Sequence, residues 1–177
     1  MANNPYDPSR VEAGTSPSLA IVGSVRTLQV ITAAMAMGVT MFAGFALFSN
    51  KFAFDGAPNT LCWVGFAFAA VMFLLSFVIP RFKINQGVKH LDIQVLEMDE
   101  SEQFSKLYPI YQTSHIIACA LLEGAAFFNG FLYMTTSFVG SILVVAALVG
   151  LILFRFPTVT GASTWVAHHI ENVRLRR

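Results

Sequence analysis

Residues 115–134 read HIIACALLEGAAFFNGFLYM. The stretch is nearly all apolar and matches the roughly 20 residues that a helix needs to cross hydrocarbon. One carboxylate, Glu123, stands near its middle. A charge at that depth is costly, so an intramembrane carboxylate is a residue to be explained.

Working outward from this segment, three more apolar blocks of spanning length appear, giving spans of about 28–49, 61–80, 116–134 and 138–156. Gly56-Ala57-Pro58-Asn59 marks a turn between the first two, and Thr135-Thr136-Ser137 leaves only a tight link between the last two. Residues 1–26 read as a disordered cytoplasmic tail rich in Asn, Pro and Ser, with no signal-peptide pattern. Residues 81–114 read as a long cytoplasmic loop. Within it, Lys89 to Met98 alternates as a strand does, and Asp99-Glu100-Ser101-Glu102 has the acidity of a helix start. Phe104, Leu107, Tyr108 and Tyr111 would then share one helix face, docked on the membrane interface, before Pro109 bends the chain into span 3. Residues 158–177 read as an amphipathic basic helix on the membrane surface. Trp165, Val166, Ile170 and Val173 form its apolar face, and Arg174, Arg176 and Arg177 supply charge for anionic headgroups.

Composition agrees with an all-α integral membrane protein: 55% of the 177 residues are hydrophobic and 12% charged, about half the charged share of a soluble domain. A net charge of +1 offers nothing to nucleic acid. Arg10, Arg26, Arg81, Lys83, Lys89, Lys106, Arg155, Arg174, Arg176 and Arg177 all fall on one side of the four spans, and only Lys51 on the other. That bias predicts an inner-membrane, multi-pass protein with both termini cytoplasmic. Cys62 and Cys119 both lie within spans, near opposite faces, so they do not pair.

Spans 1 and 3 align at an offset of 86: Ile31 on Ile117, Ala34 on Ala120, Gly38 on Gly124, Phe42 on Phe128 and Gly44 on Gly130. Spans 2 and 4 align at 77, with Pro80 on Pro157. The pattern reads as a duplicated two-helix hairpin. The pairs Ala34/Gly38, Thr40/Gly44, Ala120/Gly124 and Ala126/Gly130 put small residues four apart, the spacing that lets helices approach closely in lipid, so spans 1 and 3 are expected to form the tight central pair.

On span 3, Glu123 shares a face with Ile116, Cys119, Ala120, Phe127 and Gly130. Three of these are small, so the carboxyl is expected at a helix contact. A low dielectric favours its protonated form. Two roles follow: binding of a proton or cation, or a structural hydrogen bond to Thr32, Thr40, Ser76 or Ser141, with Arg155 as a further partner. Asn129 lies on another face and reads as interhelical glue.

The run ACALLEGAAFF resembles the carboxylate helix of rotary ATPase c subunits, in which a Glu lies mid-span among small residues. The direction of span 3 matches that family. The resemblance implies that Glu123 carries the ion and that the chain forms a ring. The chain departs from the family in its long cytoplasmic loop, its cytoplasmic termini and the lack of a glycine-rich partner helix.

No phosphate-binding loop, nucleophile elbow or zincin motif is present. His90, His115, His168 and His169 do not face one another across the interior as haem ligands do. The sequence therefore predicts no catalysis, metal or cofactor. It predicts a structural, accessory or partner-binding membrane protein whose partners are the bilayer and a membrane protein or a second copy; the alternative is an ion-binding subunit built on Glu123.

Overall fold

The computed structural model describes residues 19–89 and 98–175. These form five helices and no strand: α1 Leu19–Ser49, α2 Thr60–Lys89, α3 Glu100–Thr136, α4 Val139–Phe154 and α5 Val159–Arg174. Three are long and apolar enough to cross a membrane, and a fourth span is formed if α4 and α5, bent by 69°, count as one. Alone, the 16 residues of α4 reach roughly 24 Å at 1.5 Å per residue, short of the hydrocarbon thickness.

The long helices outrun the expected spans. Leu19–Arg26, expected in the tail, form the first turns of α1. The expected loop at 81–114 is mostly helix, because α2 continues through Pro80 to Lys89 and α3 starts at Glu100 and runs through Pro109 without a break. A proline removes one donor and crowds one carbonyl, and continuous packing on both sides holds the helix across it. The acidic start is as expected: Asp99 caps α3, accepting from the Glu102 N–H at 2.7 Å. Of the strand-like stretch Lys89 to Met98, Lys89 instead ends α2; its residues 90–97, like Arg176 and Arg177, lie outside the described residues.

α3 is the axis of the fold. Half of its apolar window is buried, against 22% for α1 and for α2. It packs against all four other helices, most extensively against α2. α3 and α4 form a close antiparallel pair joined through Ser137, which takes a left-handed conformation and closes α3 with its N–H on the Tyr133 carbonyl. α1 and α2 make no substantial contact with each other and flank α3 on different sides. The repeat legible in the sequence is therefore not reproduced as two equivalent packed hairpins.

The helices alternate in direction. One end gathers Arg26, Arg81, Lys83, Lys106, Arg155 and Arg174, and the far end holds Lys51. Between them the outer faces are apolar: Val30, Met37, Met41 and Phe45 on α1, and Val64, Val71, Leu74 and Val78 on α2, are exposed. Such a girdle is compatible with a bilayer.

Two cores result. The central one packs Ala36, Val39, Ala69, Leu122, Ala125, Ala126, Val145 and Leu148. The second, at the basic end, joins Val25 of α1, Phe104, Leu107 and Tyr108 of α3, and Ala162 and Val166 of α5. The aromatic face of α3, expected on the membrane interface, is thus spent inside the protein. So is much of the apolar face of α5: Trp165 stacks on His169 at 3.9 Å and meets Tyr111 at 5.4 Å. Thr158 caps α5, accepting from the Gly161 N–H. Gln29 of α1 donates to the Pro157 carbonyl at 2.9 Å, pinning the bend before α5. Arg174 is exposed and, among the described residues, pairs with Glu171 at 3.7 Å.

Candidate functional site

Around Gly65 and Asn129 the α2–α3 seam is closed. Gly65 permits it: a Cβ there would fall 2.2 Å from Leu132 Cδ1 and 3.0 Å from Asn129 Oδ1. Asn129 is fully buried and gives its amide protons to the Gly65 carbonyl at 3.2 Å and the Ala125 carbonyl at 2.9 Å. Further along the seam Pro80, lacking an N–H, leaves the Ser76 carbonyl without its helical donor. Arg155 of the α4–α5 junction supplies one, with Nη1 at 3.3 Å and the guanidinium 4.3 Å above the Phe77 ring. The apolar end of α2 thus keeps its backbone satisfied through a side chain from another element.

The α1–α3 seam is built differently. At the basic end it opens into a groove of about 460 Å³ whose polar lining includes Ser24, Thr27, Ser105, Tyr108 and Gln112. Tyr108 donates to the Ser24 carbonyl at 2.7 Å. Above the groove, side chains at four-residue intervals on α3 continue inward: Tyr111, His115, Cys119, Glu123. Residues four apart stack along one ridge of a helix. Tyr111 stacks on His115 with ring centroids 6.1 Å apart. His115 Nε2 lies 3.1 Å from Thr32 Oγ1 and 3.6 Å from Cys119 Sγ. Thr32 spends its own proton on the Leu28 carbonyl, so its oxygen accepts from His115, which assigns the proton to Nε2. Cys119 and Glu123 are close enough to interact electrostatically.

Glu123 ends this ladder. It is half-buried against α1, its Oε1 4.0 Å from where a Cβ on Gly38 would stand. None of the partners the sequence offered takes it. Thr32, Thr40 and Ser76 bond to backbone carbonyls of their own helices. Arg155 serves Ser76, and the buried Ser141 hydroxyl has no partner. Among the described residues nothing hydrogen-bonds or ion-pairs with Glu123. Beyond it the seam turns apolar: Phe42 of α1 packs on Phe127 at 5.2 Å and fills the space over Gly130. The polar side chains of this ridge therefore lie only on the basic-end side of Glu123.

The chain matches no family model, no curated protein and no solved structure. The likeness of ACALLEGAAFF to c-subunit helices remains local to α3, and α1 and α2 do not form the packed hairpin from which a c-type ring is built.

The small residues divide by face. Gly38, Ala126 and Gly130 lie at helix contacts. Ala34, Thr40, Gly44, Ala120 and Gly124 face outward, and a Cβ on Gly44 or Gly124 would touch nothing within 4 Å. Sequence reasoning missed the Thr32–His115 pair and the Arg155 bond. Both had signals: the four-residue spacing of Tyr111, His115, Cys119 and Glu123, and the proline four residues after Ser76.

Proposed function

We propose that this protein spans the membrane four times, with its basic end and both termini in the cytoplasm, and that it binds and releases a proton at Glu123. The observation that carries this is the unpartnered carboxyl at the inner end of a one-sided polar seam. A purely structural acid would donate to a neighbouring helix, and Glu123 has no such acceptor. Calcium takes six to eight oxygen ligands and magnesium six, whereas Glu123 stands without neighbouring carboxylates; among the described residues no three His, Cys, Asp or Glu come together. The proton is the ion that a lone carboxyl fits. Tyr111, His115 with Thr32, and Cys119 lie between the cytoplasmic groove and the acid and can exchange protons or hydrogen bonds along that line.

The outward small face beside Glu123, with Ala34, Ala120 and Gly124, would let a second copy approach and shield the acid from lipid. A second function, partner binding at the cytoplasmic end, is supported by the separate core that fixes α5 across α1 and α3. The two are told apart by a pH jump on the full chain in micelles, with an indicator dye reading the protons the protein takes up. Proton binding predicts a protein-dependent proton uptake lost in Glu123→Gln and slowed in His115→Phe. Uptake that is identical in both variants would leave partner binding as the function.

A further inference from the structure

A second groove, of about 500 Å³, opens on the opposite flank of α3, where α2 passes beyond Pro80. Gly87 brings α2 onto α3 at its floor, since a Cβ there would come within 2.8 Å of the Ile110 side chain. The polar lining is Lys83, Gln86, Thr113 and Ser114, and no carboxylate takes part. Ser114 is 4% exposed, and its hydroxyl has no hydrogen-bond partner. Lys83, Gln86 and Thr113 also make no hydrogen bond or ion pair among the described residues. One ammonium, one amide and two hydroxyls thus line the groove with no carboxylate and no partner among the described residues. A ligand that satisfies such a set is an anion with several oxygens.

The surroundings specify the rest of the ligand. Leu74, Val78 and Phe82 are exposed on the α2 surface that leads to the groove. A molecule with its head among Lys83, Thr113 and Ser114 would lay an apolar tail along these side chains. We propose that the groove binds the phosphate of an anionic phospholipid, with its acyl chain running along α2. The site rests on α2 crossing the membrane, which puts Lys83 at the headgroup level just past the apolar stretch. It does not depend on Glu123. A bound lipid would brace the α2–α3 seam at the end where Pro80 has removed a backbone bond.

The test is native mass spectrometry of the full chain in maltoside micelles, titrated with phosphatidylglycerol or phosphatidylcholine. One phosphatidylglycerol should be retained in preference to phosphatidylcholine. Lys83→Gln should lower its affinity about tenfold, the scale of a hydrogen bond to a charged group. Lys83→Arg should restore most of it, and Lys51→Gln, at the far end, should change nothing. Thr113→Val provides a milder loss should Lys83→Gln fail to fold. Equal retention of the two lipids, or an unchanged affinity in Lys83→Gln, overturns the site. Displacement of the lipid by millimolar inorganic phosphate overturns the lipid assignment in favour of a free anion. Alkaline carbonate extraction of the same membranes separates these results from a failure of the membrane topology itself: a protein that resists extraction but shows no lipid preference has lost only this site.

Discussion

Asn129 and Glu123 lie less than two turns apart on α3, and their surroundings could hardly differ more. Asn129 faces α2, is sealed from all sides and spends both amide protons on backbone carbonyls. Glu123 faces α1, is only half-buried and meets no partner. The difference originates in the facing residue. Gly65 brings α2 so close that the Asn129 amide reaches its backbone. Gly38 leaves space beside Glu123 that no polar atom of α1 fills. One seam uses a polar side chain to close, and the other leaves one without a partner among the described residues.

The contrast can be broken most forcefully at the closed seam. Gly65→Val would drive a branched side chain into Leu132 and Asn129, and overpacking of this kind costs about 1–3 kcal/mol. Equilibrium unfolding in mixed micelles should show that loss, while Gly124→Val on the open side, where a Cβ meets nothing, should be near neutral. Arg155→Gln comes next. It removes the charged donor to Ser76 and the contact over Phe77, for an expected loss of about 1–2 kcal/mol. A smaller effect, about 1 kcal/mol, is expected from Tyr108→Phe, which removes the hydrogen bond tying α3 to the Ser24 carbonyl of α1. Hydrogen exchange should then rise in the first turns of α1 and not in α2. Smallest for stability, and largest for function, is Glu123→Gln. With no partner to lose, it should move the unfolding free energy by less than about 0.5 kcal/mol, yet abolish proton uptake. A destabilisation above about 2 kcal/mol would instead show that the acid holds the fold together.

The same contrast bears on what the sequence makes legible. Hydropathy, the basic bias and the Ser137 link predict the apolar helices, their alternating directions and the α3–α4 hairpin, because length and charge are local properties. The place of Glu123 midway along an apolar helix is legible for the same reason, but its lack of a partner is not, since Thr32, Thr40, Ser76 and Ser141 all stand within reach by sequence. Nor are the helix ends legible. Pro80 reads as a stop and Pro109 as a bend, since a proline's missing donor is visible in sequence and the guanidinium or packing that compensates is not. The aromatic face Phe104, Tyr108 and Tyr111 read as a membrane anchor, because apolar residues at helical spacing look alike whether lipid or another helix covers them. The small-residue pairs identify residues able to permit close approach, and only packing decides which of them do: Gly130 does, against Phe42, and Gly124 does not. The internal repeat has no counterpart in the packing for a related reason. Aligned apolar helices share residues without sharing neighbours, and α1 and α2 stand apart where α3 and α4 touch.

The central claim is that Glu123 is an accessible, titrating carboxyl. It is tested most directly by labelling native membranes with a hydrophobic carbodiimide, which reacts with protonated carboxyls, over a range of pH. The prediction is a single modified residue, Glu123, whose labelling is strong in acid, falls as pH rises, is unaffected by sodium and is absent in Glu123→Gln. No labelling of Glu123 at any pH would mean a carboxyl sealed within the bundle, and would contradict the account.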